Sequence, residues 1–201
     1  MITTNNKEWD ALFRLLRVHG MSMESSTRHE AKQVAFESYL ELGFNYRMTD
    51  IQAAIGREQL KRLPEIISRR RALAERYRIL LKNIAGLVLP AEPSWARSNW
   101  QSFCVRLPDG CDQQQVMQVM LDAGVATRRG IMCSHSEPVY LQQQWSCGIG
   151  PGNCGCLPGN CSRLQESERT QDHSILLPLY YQMTEEEQNR VVQTLDAACR
   201  D

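Results

Sequence analysis

Between Trp9 and Leu16, and again from Ile51 to Ile84, apolar residues recur three and four positions apart, the period of an amphipathic helix. Asn5, three residues before Glu8, predicts an N-cap for a first helix carrying Trp9, Leu12, Phe13 and Leu16. Thr49 with Gln52 three residues on is a capping box, so a second helix starts just after Met48. Its apolar positions are Ile51, Ala54, Ile55, Leu60 and Leu63, and then Pro64 either kinks it or opens a new helix. The pattern resumes through Ile66, Ile67, Leu73, Ala74, Tyr77, Leu80, Leu81 and Ile84 to Gly86, a C-terminal stop. Residues 19 to 43 keep no single period, and "HGMSMESST" reads as a loop.

Beyond the turn "LPAEPSWARS" the period shortens to two. "NWQSFCVRL" predicts a strand with Trp100, Ser102, Cys104 and Arg106 on one face and Phe103, Val105 and Leu107 on the other. Asp112 caps a helix with Gln115 at the box position and Gly124 at its stop. "VATRR" and "SILLPLY" predict further strands, and Thr184 with Glu187 caps a last helix from Glu185 to Cys199. Strand, helix, strand, strand, helix makes an α+β unit over residues 87–201, whereas residues 1–86 are helical with almost no sheet. The β-prone start, Met1 to Thr4, has no strand near it in sequence and reads as the end of a sheet whose other strands lie elsewhere.

Composition narrows the functional classes. Of 201 residues 42% are hydrophobic and 23% charged, the make-up of a globular protein. Lys+Arg and Asp+Glu both number 23, so no net field recruits nucleic acid or an anionic membrane. There is no membrane-length apolar run and no signal-peptide layout, which predicts a soluble, cytoplasmic protein with its eight cysteines reduced. The run Arg69-Arg70-Arg71, with Arg76 and Arg78, is interspersed with Glu65 and Glu75 and reads as a solvated helix face.

Four places carry candidate chemistry. Asn45 stands at the mouth of the second helix, where a side-chain amide and free backbone N–H groups can hold a phosphate; it can equally satisfy its own turn. Arg47 and Tyr46 beside it can assist a phosphate or form an interface ion pair. The small residues Ala53, Ala54 and Gly56 suit close approach of another backbone, at a dimer contact or within the chain. Thr127, Arg128 and Arg129 follow a short strand, and guanidinium groups bind phosphates in bidentate fashion; the alternative is a solvated edge. Cys147, Cys154, Cys156 and Cys161 crowd into one Gly- and Pro-rich loop, 147–161, with intervals of six, one and four residues. That spacing lacks the paired C-x2-C of a zinc ribbon, so the loop reads as unliganded or redox-labile, with no metal expected.

"GFNYRM" followed by "DIQAA", with "LRVHGMS", "GVATRRGIMCSHSEPVY" and "SERTQDHSILLPLYYQMTEEEQ" in that order, resembles the DegT-type, pyridoxal-phosphate-dependent sugar aminotransferases over residues 1 to about 195. The resemblance implies the C-terminal part of an α/β, fold-type-I enzyme: residues 1–86 as the remainder of a large domain with a long interface helix, and 87–201 as a small α+β domain. It implies that the whole enzyme, a homodimer, uses pyridoxal phosphate to move an amino group, glutamate's, onto a nucleotide-linked keto-sugar. Such sugars feed polysaccharide, lipopolysaccharide or antibiotic biosynthesis. It further implies that Asn45 reaches the cofactor phosphate of the neighbouring subunit, with Arg47 a second candidate. Arg128, Thr127 and His135 would face substrate, and His19 would be structural.

The resemblance also places the Schiff-base lysine upstream of Met1, because "MITTNN" matches the strand that follows it in the family. Lys7, Lys32, Lys61 and Lys82 do not match that position, so the chain alone is expected to be inactive. The alternative is a non-catalytic dimerisation or binding module, stabilised by zinc at the cysteine cluster.

Overall fold

The computed structural model describes residues 2–22, 38–141 and 163–200. By compactness the chain forms two units, 1–62 and 63–201. The division therefore falls inside the long helix rather than after residue 86.

In the first unit, α1 spans Lys7–Leu16. Its N-cap is Asn6, not Asn5: the Asn6 side chain accepts from the backbone N–H groups of Glu8 and Trp9 at 2.9 and 3.2 Å. Asn5 and Asn6 are chemically equivalent candidates, and only the one in extended geometry (φ −84°, ψ 115°) reaches both donors. Ile2 to Thr4 belong to no strand among the described residues.

The stretch after α1, read from sequence as a loop, pairs antiparallel with a later one. Val18 bridges Asn45 and Met21 bridges Tyr39. The Phe44 and Tyr46 amides donate to the carbonyls of Leu16 and Arg17 at 2.7 and 2.9 Å. Two glycines permit this. A Cβ on Gly43 would lie 2.2 Å from the backbone N of Gly20, and one on Gly20 would lie 2.0 Å from the carbonyl oxygen of Glu41. Gly20 also turns at φ +70°, directly after His19 at φ +64°.

Helix α2 runs Asp50–Leu81 without a break at Pro64. The Thr49–Gln52 box closes its start: Gln52 Oε1 accepts from the Thr49 amide at 2.9 Å, and Thr49 Oγ1 accepts from the Gln52 amide at 3.3 Å. Gly86, at φ +76°, lies in the turn past the helix end rather than at its cap.

In the second unit the strands are β1 (Phe103–Arg106), β2 (Arg128–Arg129) and β3 (Ser174–Leu177), in the antiparallel order β1-β3-β2. Phe103 lies opposite Leu177 and Arg128 opposite Leu176. Helices α3 (Gln113–Asp122), α4 (Pro138–Leu141), α5 (Gln165–His173) and α6 (Glu185–Ala198) complete it. Thr184 and Glu187 form the full reciprocal capping box at α6. The predicted second strand, 125–129, shortens to its last two residues.

The core of this unit joins Leu73, Ala74, Tyr77 and Leu81 of α2 to Phe103, Val105, Ile175 and Leu195. These residues bind the second half of α2 to the sheet, which is why the compact unit begins at Leu63. Trp100 departs from strand alternation. It turns at φ +51° and is buried, its ring 5.6 Å from that of Phe103, instead of sharing a face with Ser102 and Cys104.

Of the arginine run only Arg78, paired with Glu75, keeps to a solvated face. Arg69 donates to the Met183 carbonyl at 2.8 Å, and Arg70 to the carbonyls of Trp100 and Gln101 at 3.0 and 2.8 Å. Arg71 grips both oxygens of Glu92 at 2.8 and 2.9 Å, and Arg76 reaches Asn189 at 2.9 Å. Guanidinium forks suit this because each offers several donors in one plane. Arg71, and then the Ser98 amide, hold the Glu92 carboxyl below its ordinary range.

A depressed carboxyl contributes stability that is complete above its unfolded pKa, about 4.3, and is lost as pH falls through the lower folded value. The melting temperature of the unaltered chain should therefore exceed that of Glu92→Gln at neutral pH. The gap should close as pH drops below about 4. A gap unchanged down to acid pH in thermal melts would show that the ionised Glu92–Arg71 pair is not its source.

Candidate functional site

Asn45 sits on the short antiparallel pairing of the first unit, four residues before Thr49 caps α2. Alternation along the extended backbone puts Phe44 and Tyr46 together, their rings stacked 5.1 Å apart at 9°. Both line an apolar groove of about 730 Å³ with Ile2, Phe13 and Leu16. Asn45 is exposed, and its Oδ1 accepts from Arg47 Nε at 3.0 Å. Its amide N–H groups have no acceptor among the described residues. The turn is held by main-chain bonds of Leu16, Arg17, His19, Phe44 and Tyr46, not by the Asn45 side chain. That leaves an amide and a guanidinium side by side and exposed, a few residues before α2, a donor set that fits a phosphate.

The small residues behave similarly. A Cβ at Gly56 would meet nothing within 4 Å, so tight packing within the described chain does not explain that glycine. Ile51 and Ile55 beside it are 74% and 59% exposed, far more than a helix face normally leaves to water.

In the second unit Thr127 and Arg128 line a cleft of about 350 Å³ with Arg70, Gln101, Ser102 and Pro178. The Thr127 Oγ1 is buried with no hydrogen-bond partner among the described residues, a situation that ordinarily costs about 1–3 kcal/mol. Arg128 is exposed and forms no ion pair among them, whereas Arg129 lies 3.6 Å from Asp172. Tyr77 pins the cleft wall by donating to the Pro178 carbonyl at 2.9 Å. Burial holds that hydroxyl protonated by raising its pKa above the ordinary value.

His135 is not brought to this cleft. It lies in the 3-10 turn Ser134–Ser136, its Nε2 2.7 Å from Glu168 Oε1, and both side chains are largely buried. Arg70, by contrast, lines the cleft, although along the chain it reads only as part of a charged helix face. Its signal was positional: it lies three residues before Leu73 on α2, one turn from the buried stripe.

No described lysine lines either hollow, and Lys61 pairs with Glu58 at 2.6 Å. Among the described residues no group of three or more His, Cys, Asp or Glu is placed to hold a metal. The cluster Cys147, Cys154, Cys156 and Cys161 lies outside those residues. No described helix is long and apolar enough to cross a membrane.

The described residues thus present an amide and a guanidinium on one turn, and a hydroxyl and guanidinium groups around one cleft. Over residues 1–196 the chain belongs to the DegT/DnrJ/EryC1/StrS aminotransferase family. It is 25% identical over 198 residues to an uncharacterised protein, MJ1066, of Methanocaldococcus jannaschii, covering 97% of this chain and 48% of that one. The aminotransferase TlmJ of Streptoalloteichus hindustanus superposes with a TM-score of 0.73 at 26% identity, over 96% of this chain and 45% of TlmJ. DesV of S. venezuelae, solved in complex with a ketimine intermediate, gives 0.75 at 21% identity, over 99% and 46%. The fold is thus part of the α/β aminotransferase fold, and the chain spans about half the length of these relatives. The dimerisation-module alternative gains no support from them.

Proposed function

We propose that this chain is the C-terminal portion of a pyridoxal-phosphate-dependent enzyme that transfers an amino group, glutamate's, to a nucleotide-linked keto-sugar. The chain contributes phosphate and substrate contacts but not the lysine that carries the cofactor, and alone it is inactive. Pyridoxal phosphate, when bound, supplies the electron sink for moving the amino group. Asn45 and Arg47 donate to its phosphate across a homodimer boundary. Their position at the mouth of α2 adds the partial positive charge of a helix start. Gly56 and its neighbours Ala53 and Ala54 accept the backbone of the second subunit. Arg128 and the unsatisfied Thr127 hydroxyl hold the diphosphate of the sugar nucleotide in the cleft beside Arg70. His135, paired with Glu168, shapes the segment leading to the substrate opening rather than touching substrate.

The observation that carries this reading is the division of labour at Asn45: main-chain bonds of its neighbours fix the turn, and its amide N–H groups remain to bind. In a protein carrying both halves of the enzyme, Asn45→Ala should weaken pyridoxal phosphate binding by about 1.5–3 kcal/mol, the worth of a hydrogen bond to a charged group. The melting temperature of the cofactor-free form should barely change. Titration of cofactor absorbance, beside thermal melts, separates the outcomes. Unchanged affinity with a melting temperature several degrees lower would make Asn45 a turn residue only.

A further inference from the structure

The described residues hold four free cysteines, Cys104, Cys111, Cys133 and Cys199, and two of them, Cys111 and Cys199, are neighbours in space. Cys111 immediately precedes Asp112, the N-cap of α3, and Cys199 is the C-cap of α6. The two helices lie side by side and antiparallel. At one end Arg190 of α6 donates to the Ala123 carbonyl at the C-terminal end of α3. At the other end the Cys111 Sγ lies 3.8 Å from the Cys199 carbonyl oxygen. Both cysteines are half-buried, so a small reagent can reach them. The other two are placed differently: Cys104 stands on β1 opposite Leu176, and Cys133 is buried with its amide bound to Gln171.

We propose that Cys111 and Cys199 form a modification site: a small disulfide such as oxidised glutathione converts them into an intrachain disulfide that ties the start of α3 to the end of α6. The Cys111 thiol loses its proton to solvent, and its thiolate attacks one glutathione sulfur. The glutathione S–S bond breaks, one glutathione thiolate leaves, and a mixed disulfide remains on Cys111. Cys199 then loses its proton and attacks the Cys111 sulfur, expelling the second glutathione. The two protein thiols are oxidised by two electrons in all, and one glutathione disulfide is reduced to two thiols.

The order follows from the surroundings of Cys199. Burial first, and the Cys111 thiol second, push its pKa up to about 12, so it is the slower thiolate to form and acts as the resolving partner. The closed loop, from residue 111 to residue 199, is long, the case in which a cross-link most restricts the unfolded chain. The inference is independent of the aminotransferase reading, since neither cysteine lines the cleft or the Asn45 turn.

The test uses the whole 201-residue chain, reduced and then held with glutathione disulfide at pH 8. Trypsin, without reductant, cuts after Arg106 and Arg128 and after Arg190 and Arg200, which puts the two cysteines on separate peptides. Mass spectrometry should find peptide 107–128 joined to peptide 191–200, the pair lighter by two hydrogens than its sum. Joining should speed up roughly tenfold per pH unit between about pH 7 and 9, as the resolving thiolate becomes available. The oxidised chain should melt about 5 °C higher than the reduced one. In Cys199→Ser the joined species should vanish and Cys111 should keep one glutathione. Recovery of both peptides each bearing its own glutathione, or of either joined to peptide 130–163, would overturn the proposal.

Discussion

Gly43→Ala is expected to dismantle the antiparallel pairing that presents Asn45, at a cost of about 3 kcal/mol or more. The added carbon would sit 2.2 Å from the Gly20 nitrogen, 2.5 Å from the His19 carbonyl carbon and 2.8 Å from the Leu16 oxygen. All three are main-chain atoms, so no flexible side-chain end can swing aside. The φ of Gly43 is not in the left-handed region, and the effect is steric crowding rather than backbone strain. Amide exchange at His19, Phe44 and Tyr46 reports it, because their N–H groups bond across the pairing. Exchange at those amides should quicken roughly a hundredfold, and the amides of β1 and β3 should keep their rates. Unaltered protection at Phe44 and Tyr46 would mean that the two glycines can part without loss.

Phe103→Ala should destabilise the second unit by about 3–5 kcal/mol, the range for emptying a buried aromatic position. Phe103 is fully buried and touches two other rings, Tyr77 at 5.2 Å and Trp100 at 5.6 Å. Its loss leaves a cavity against α2 and removes support from the Trp100 turn, whose positive φ persists only while its surroundings enforce it. Denaturant titration followed by tryptophan fluorescence measures the change. A loss below about 1 kcal/mol would show that the surrounding side chains collapse into the space.

Most local signals are legible where the partners lie within one helical turn, the cap of α1 being the exception, one residue on from Asn5. The boxes at Thr49 and Thr184, the Asp112 cap and the apolar stripe Leu73, Ala74, Tyr77 and Leu81 each depend on residues three or four apart. What escaped needed distant partners. Val18 bridges Asn45 across a stretch with no period, and nothing nearby in sequence announces it. Arg70 looks like a surface charge until the carbonyls of Trp100 and Gln101 come into view. Trp100 carries the right residue type for strand alternation but turns out of it through its backbone. At the candidate site, Thr127 and Arg128 fall together because they are adjacent in sequence. His135 follows them closely along the chain, yet the 3-10 turn carries it to Glu168.

The arginines of α2 have one more consequence. Arg69 and Arg70 end on main-chain oxygens, at Met183 and at Trp100 and Gln101, and such acceptors exist whatever side chain is attached to them. The donors are irreplaceable, since lysine has no planar fork, but the receiving residues can drift in identity and still be gripped. Mutational tolerance around α2 is therefore lopsided. An exchange at Gln101 leaves the fastening intact, whereas an exchange at Arg70 undoes it, and divergent versions of this unit can keep one shape while sharing few of the residues that the helix holds.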